Sequence, residues 1–190
     1  MTVKQWLAVL LLSVASLPAM AAEVAGVKLD DKVNVTGTEL ALNGAGVRSR
    51  FGLAKVYVAG LYLTGKSKDA EAIIASKQTR RVVLVMKRDV EADKMLDAFK
   101  EGIVANTTGP ELAAIQPKIA EMEKIFKAVR EVKEGDVILL DFGSDGGTRI
   151  TVRNQAKEVI SGADFQAALL RIWLGKKPVQ DELKKALLEG

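Results

Sequence analysis

The sequence contains no cysteine and no histidine. The absence of cysteine excludes disulfide bonds, thiolate metal sites, cysteine nucleophiles and a lipid anchor on an N-terminal cysteine. The absence of histidine removes the usual zinc ligand and the side chain that most often acts as a general base near neutral pH. Metal-dependent and triad hydrolase chemistry are therefore disfavoured.

Stacking aromatic rings and net charge are also scarce. The chain has two Trp and two Tyr, and its 28 basic and 24 acidic residues leave a formal charge of +4 with both signs interspersed. A nucleic-acid surface needs clustered cations and rings on which bases can stack. Gly143–Gly147 predicts a turn and not a phosphate loop, because a strand and no helix follows it. We therefore expect no nucleic-acid partner, no cofactor and no bound metal.

The N-terminus has the organisation of a secretory signal. Lys4 precedes an apolar run from Trp6 to Leu17, and small residues stand at Ala19 and Ala21. This pattern predicts a signal peptide over residues 1–21 with cleavage after Ala21. The alternative is an N-terminal membrane anchor, which needs about 20 apolar residues. The prediction is thus one exported, periplasmic domain over residues 22–190, with no later segment that is apolar enough to span a membrane.

The first half of the mature sequence predicts mainly strands. Short segments with partial alternation precede a long run rich in β-branched and aromatic residues, and the predicted strands are Val24–Leu29, Lys32–Val35, Glu39–Leu42 and Phe51–Leu63. Asn43–Gly46 predicts a break between the last two. Thr79–Met86 is apolar on both faces, which indicates a central strand covered on both sides.

The second half predicts helices and one hairpin. Apolar residues at helical spacing predict an amphipathic helix over Val90–Val104. Other helices are predicted at Asp69–Ser76, in a short turn after Gly109, and over Pro117–Val129, Asp164–Leu174 and Val179–Leu188. Val137–Phe142 and Thr148–Val152 form the predicted hairpin. The fold class is therefore α+β, a mostly antiparallel sheet under a helical layer that can enclose a ligand.

Three segments carry a resemblance to a known family. They are Leu42–Arg48 leading into Lys55–Leu63, the strand Gly135–Asp141, and Leu170–Pro178. In order and spacing they resemble the chalcone isomerase-like family, in its branch of exported bacterial proteins. The resemblance implies an open-faced β-sandwich with an apolar cleft between a large antiparallel sheet and its helices.

The resemblance also implies a pair of site residues. The family contains isomerases, which close a chalcone into a flavanone, and non-catalytic members that resemble fatty-acid-binding proteins. Arg48 matches the arginine that holds a substrate anion or a carboxylate. Tyr57 stands where the isomerases have a catalytic threonine and the fatty-acid-binding members have a tyrosine. The isomerases also carry a Tyr and an Asn seven residues apart on the next helix, where this chain offers Lys94 with Glu101 or Met95 with Gly102.

The chemistry of Arg48 and Tyr57 suits a carboxylate, because a guanidinium fork and a phenol together give several donors to its two oxygens. The two residues are nine positions apart, a spacing that points them to opposite faces of an unbroken strand. A shared pocket therefore requires an irregularity, which we predict at Gly52. The alternatives are a surface or acid-paired arginine, a core tyrosine, and Arg50 as the donor in place of Arg48.

The remaining candidates receive structural interpretations. Tyr62 and Trp173 are predicted to be core residues, and the pair Arg80–Arg81 is predicted to be the solvated end of a strand.

The sequence leaves three functional hypotheses. The first is non-catalytic binding of a fatty acid or similar amphiphilic carboxylate in the periplasm. The second is an isomerase acting on an unknown enone, with Arg48 stabilising an oxyanion and Tyr57 donating the proton. The third is a structural or partner-binding envelope protein with a filled cleft.

Overall fold

The computed structural model describes residues 22–50 and 52–189, so the predicted signal peptide lies outside the described residues. The strands are β1 (Ala22–Val24), β2 (Val27–Leu29), β3 (Lys32–Val35), β4 (Thr38–Arg50), β5 (Ala54–Leu63), β6 (Arg80–Met86), β7 (Val90–Glu91), β8 (Glu131–Val132), β9 (Val137–Phe142), β10 (Gly147–Val152) and β11 (Gln155–Ser161). The helices are α1 (Ala70–Ala75), α2 (Ala92–Ala105), α3 (Gly109–Val129), α4 (Ala163–Leu174) and α5 (Asp181–Leu187).

Seven antiparallel strands form the main sheet, in the order β11-β10-β9-β6-β5-β4-β3. Strand β5 shows how the sheet separates two cores, because side chains alternate between the faces of a strand. Tyr57, Ala59 and Leu61 contribute to the large core under the helices. Val58 and Tyr62 contribute to a smaller core on the opposite face, which the β1–β2 hairpin helps to cover. The predicted α+β class with an antiparallel sheet under a helical layer is confirmed.

The predicted break at Asn43–Gly46 does not end the strand, since β4 runs from Thr38 to Arg50, although its register with β5 shifts between Leu42 and Gly44. The glycines allow α5 to pack directly on the strand backbone. A Cβ on Gly44 would lie 2.7 Å from the carbonyl oxygen of Leu187, and one on Gly46 would lie 2.8 Å from Cβ of Ala186. Glycine can permit either a turn or the close approach of another backbone. At Gly44 and Gly46 it permits close approach.

Asn43 stabilises the same contact between α5 and β4. Its buried amide donates to the carbonyl oxygens of Leu187 at 2.8 Å and Ser67 at 2.9 Å, and its oxygen accepts from the backbone N–H of Ser67 at 2.8 Å. A buried amide with these partners satisfies backbone groups of two other segments. It therefore fixes the C-terminal end of α5 to β4.

The predicted helix start at Pro117 is wrong, because α3 is one helix from Gly109 to Val129 with Pro117 inside it. An internal proline removes one helical hydrogen bond and costs about 3 kcal/mol. A capping box between Thr108 and Glu111 stabilises the N-terminus of the helix. Buried side chains of the helix, including Ile119 and Met122, stabilise it further.

Arg80 and Arg81 are not at a solvated strand end, which corrects the sequence interpretation. Arg80 is 2% exposed, and its guanidinium donates to the carbonyl of Ile73 at the end of α1 and to Oε1 of Gln166, both at 2.8 Å. Burial lowers the pKa of Arg80 to about 10, so the group stays charged at neutral pH. Arg81 pairs with Asp141 on the neighbouring strand, with Nη2 and Oδ2 2.9 Å apart.

Candidate functional site: a cavity at the ends of β4, β5 and α2

A cavity of about 690 Å³ lies between the ends of β4 and β5 and the side of α2. This volume is within the range of small-molecule sites. Its apolar lining consists of Val56, Tyr57, Val90, Met95, Ala98, Phe99, Ile172 and Val179. Its charged lining consists of Arg48, Arg50, Arg88, Lys94, Asp89, Glu91, Asp97, Glu101 and Glu131. The cavity thus combines apolar side chains with charged groups of both signs.

Arg48 and Tyr57 are cross-strand neighbours, since Arg48 of β4 pairs with Tyr57 of β5. Opposite residues of an antiparallel pair point to the same face, and both of these line the cavity. The chain reverses between them, in a turn where Gly52 has φ +70°. The predicted strand start at Phe51 is therefore wrong, because β5 begins at Ala54. The register also shifts between Arg48 and Ser49.

Tyr57 lines the cavity and is buried. The indole N–H of Trp173 donates to its oxygen at 3.1 Å. Burial raises the pKa of Tyr57 to about 12, although the indole hydrogen bond and the charge of Arg48 act in the opposite direction. The phenol therefore stays protonated near neutral pH. None of the described residues accepts its hydrogen, so it is available to a ligand.

Trp173 has a role beyond the core packing that the sequence predicts for it. Its ring is 1% exposed and meets the ring of Phe99 edge to face, with centroids 5.6 Å apart. A buried indole needs an acceptor for its N–H. The bond to Tyr57 supplies that acceptor and orients the phenol, a relationship between residues 116 positions apart that no local pattern reveals.

Arg48 is half-buried, and neutral oxygens hold its guanidinium. Nη1 donates to the carbonyl of Ser49 and, at 3.3 Å, to Oε1 of Gln180. Gln180 also accepts the backbone N–H of Ser49 at 2.9 Å. No carboxylate among the described residues forms an ion pair with Arg48. The guanidinium is thus positioned without being neutralised.

Gln180 is a site residue that sequence reasoning missed. It stands at the N-terminal boundary of α5 and reaches 132 positions back along the chain to Arg48. Its position depends on the docking of α5 against Gly44 and Gly46 of β4. No motif around residue 180 indicates this contact.

The other sequence candidates lie around the same cavity. Arg50, the rival donor, lines the mouth, and so does Arg88, which the sequence did not indicate. Lys94, Met95 and Glu101 line the wall, at positions that the resemblance aligns with the Tyr and Asn of the isomerases. Tyr62 is a core residue as predicted, and its hydroxyl donates to the carbonyl of Asp30 at 2.9 Å on the other face of the sheet.

Two further features bear on ligands and membranes. Within residues 22–50 and 52–189, no three metal-ligating side chains are grouped as an ion would require. Over the same residues, every helix is too short or too polar to cross a bilayer.

Comparison with known proteins places this arrangement in a family. The sequence model described as chalcone isomerase-like matches residues 21–189. A comparison with curated protein sequences finds no significant match. Among solved structures, a fatty-acid binding protein of Arabidopsis thaliana is similar, with a TM-score of 0.65 and 14% identity over 86% of this chain and 92% of the other. That likeness shows the fold, and the recognition from sequence is confirmed. This chain belongs to the chalcone isomerase-like family.

Proposed function

We propose that this protein binds a fatty acid or similar amphiphilic carboxylate in the periplasm and does not convert it. The observation that carries the proposal is the pairing of Arg48 with Tyr57 on one wall of the cavity. The guanidinium supplies a charge that no described carboxylate pairs with, and the buried phenol supplies a protonated donor.

The energies of such a complex are favourable on both parts of the ligand. A hydrogen bond to a charged group contributes about 1.5–3 kcal/mol, more than a bond between neutral groups. A methylene that becomes fully buried against the apolar lining contributes about 0.8 kcal/mol. A headgroup at Arg48 and a tail along α2 would therefore use both kinds of lining.

The similar Arabidopsis thaliana protein is a fatty-acid binding protein, which supports this ligand class for the fold. The periplasmic location rests on the predicted signal peptide. N-terminal sequencing of the protein from a periplasmic extract tests it, with Ala22 expected as the first residue.

The isomerase alternative has less support from the site. A general acid works best with a pKa near the operating pH. Burial raises the pKa of Tyr57 to about 12, so the phenol gives up its proton poorly at neutral pH. Where the resemblance leads us to expect the Tyr and Asn of an isomerase, the chain offers Lys94 with Glu101 or Met95 with Gly102, and neither pair supplies the same neutral donors to an enone. Binding without turnover fits these groups better.

Mass spectrometry of lipids extracted from the purified protein tests the proposal. We expect the wild type to carry long-chain carboxylic acids and Arg48→Met to carry far less. Arg149→Met is the matched control, because Arg149 is exposed on β10 and does not line the cavity. Equal lipid in Arg48→Met and the control, at equal thermal stability, would contradict the proposed role of Arg48. A wild type that neither carries an acid nor takes one up when it is added would contradict the function itself.

A further inference from the structure

The turn between β4 and β5 exposes a large apolar side chain. Leu53 is 89% exposed, compared with 54% for Val104 and 45% for Val159 among the described residues. Its backbone N–H donates to the carbonyl of Arg50 at 3.3 Å, which closes the turn at Gly52. Polar residues, glycine and proline dominate turns, because such residues suit water and the turn geometry. At this exposure, the side chain of Leu53 has little packing against the residues that the structure describes.

Basic side chains flank this leucine on the hairpin and follow the strand beside it. Arg50 and Lys55 flank it on the hairpin, and both are exposed. The backbone N–H of Lys87 donates to the carbonyl of Val56 at 2.9 Å, which brings Lys87 and Arg88 alongside β5. Asp89 follows and offsets one of these charges. We call the group of Arg50, Gly52, Leu53, Lys55, Lys87 and Arg88 the basic hairpin tip.

The basic hairpin tip adjoins the entrance of the cavity. Arg50 and Arg88 belong to the tip and also line the mouth, while Arg48 and Tyr57 lie further along the same strands. Leu53 itself does not line the cavity. A flat surface in contact with the tip would therefore lie against the opening of the cavity. Leu53 would contact that surface and would not enter the cavity.

We propose that the basic hairpin tip docks on an anionic lipid bilayer, with Leu53 inserted at the headgroup boundary and the cations facing lipid phosphates. An exposed apolar residue flanked by cations has the chemistry of an interfacial anchor. Docking would present the cavity mouth to the bilayer, where an amphiphilic carboxylate enters or leaves. The inference deepens the proposed function and rests on it for the identity of the cargo.

Co-sedimentation with vesicles tests the docking. Vesicles of phosphatidylcholine and phosphatidylglycerol in equal amounts should bind the wild-type protein, whereas pure phosphatidylcholine should bind it weakly. Added salt should weaken the binding, because it screens charges near the surface. Leu53→Ser should lower partitioning about tenfold, since it removes the apolar side chain that would insert into the bilayer. Lys55→Gln should lower it about fivefold through the loss of one surface charge.

Val159→Ser is the matched control, because Val159 is an exposed apolar residue on β11, at the far edge of the sheet. We expect it to bind vesicles as the wild type does. Equal binding by Leu53→Ser and Val159→Ser, or no binding by the wild type, would overturn the docking proposal. Leu53-dependent capture of an envelope protein without vesicle binding would also overturn it, in favour of a protein partner.

A second measurement separates this proposal from the proposed function. A soluble fluorescent fatty acid, titrated without vesicles, should bind Leu53→Ser as tightly as the wild type. Retained fatty-acid binding with lost vesicle binding supports docking through the tip. If the wild type binds the fatty acid but does not bind vesicles, the docking proposal is overturned and the proposed function is not. Leu53-dependent vesicle binding by a protein that takes up no fatty acid supports docking and contradicts the proposed cargo.

Discussion

The indole of Trp173 and the phenol of Tyr57 form a hydrogen bond that joins the helical layer to the sheet. Because the indole can only donate, it occupies an acceptor position on the phenol oxygen and leaves the O–H to donate elsewhere. Arg48 lies directly across from Tyr57 on the adjacent strand. Two donors from neighbouring strands are thus presented together.

Both tyrosines of the chain lie on β5, which provides a matched pair of substitutions. Tyr57→Phe should weaken carboxylate binding about fivefold, because it removes one hydrogen bond of about 1 kcal/mol. Tyr62→Phe removes a hydroxyl that bonds Asp30 on the opposite face, so it should lower stability and leave affinity unchanged. Calorimetric titration with a fatty acid measures both. Equal losses of affinity would show that Tyr57 acts only through the fold.

Gln180→Glu should compete with the ligand for Arg48. The new carboxylate would stand where Oε1 of Gln180 now accepts from the guanidinium at 3.3 Å. An internal ion pair there should lower affinity for a carboxylate about tenfold, equivalent to one charge-assisted hydrogen bond of about 1.5 kcal/mol. Gln180→Ala keeps the charge of Arg48 available and should therefore lose less affinity for the carboxylate. If the two variants bind a fatty acid equally well in a displacement assay, the charge of Arg48 does not hold the ligand.

Gly44→Ala should destabilise the protein, since a Cβ at Gly44 would collide with backbone carbonyls at the end of α5. Overpacking of this kind costs about 1–3 kcal/mol in the free energy of unfolding. Gly65→Ala is the control, because a Cβ at Gly65 meets nothing within 4 Å. Urea denaturation measures both, with Gly65→Ala expected within about 0.5 kcal/mol of the wild type. Similar midpoints for the two variants would show that α5 does not pack on β4 as described.

Alkaline pH should reveal the buried phenol. Burial raises the pKa of Tyr57 from 10.0 to about 12, so the folded state holds this proton more tightly than the unfolded state. Its contribution to stability is therefore complete below about pH 10 and is lost as the pH rises through about 12. The free energy of unfolding of Tyr57→Phe should fall less steeply over this interval, while lysine titrations affect both proteins alike. If the free energies of unfolding of the wild type and Tyr57→Phe fell equally steeply with pH, the raised pKa of Tyr57 would be contradicted.

Local patterns predicted the elements whose cause is local. The apolar spacing of α2, α4 and the β9–β10 hairpin depends on neighbouring residues and is visible in the sequence. Asn43–Gly46 was misinterpreted because glycine serves turns and close packing alike, and only the distant residues of α5 decide between them. Arg80 was misinterpreted for a similar reason, since its buried partner Gln166 lies 86 positions away.

The candidate site was predictable only in part. Arg48 and Tyr57 came from the family resemblance, and the structure places both on one cavity. The residues that orient them could not be inferred, because Trp173 and Gln180 reach the site through the docking of α4 and α5. Their contacts depend on tertiary packing and leave no spacing in the sequence. Whether the pair holds a ligand stays a prediction.

The most direct test compares the affinities of a fatty acid and its methyl ester for the wild type and for Arg48→Met. The two ligands share a tail and differ in charge, so their difference isolates the carboxylate. At neutral pH we predict that the wild type prefers the acid about tenfold or more and that Arg48→Met shows no preference. Equal affinities of the wild type for acid and ester, or an undiminished preference in Arg48→Met, would contradict the account.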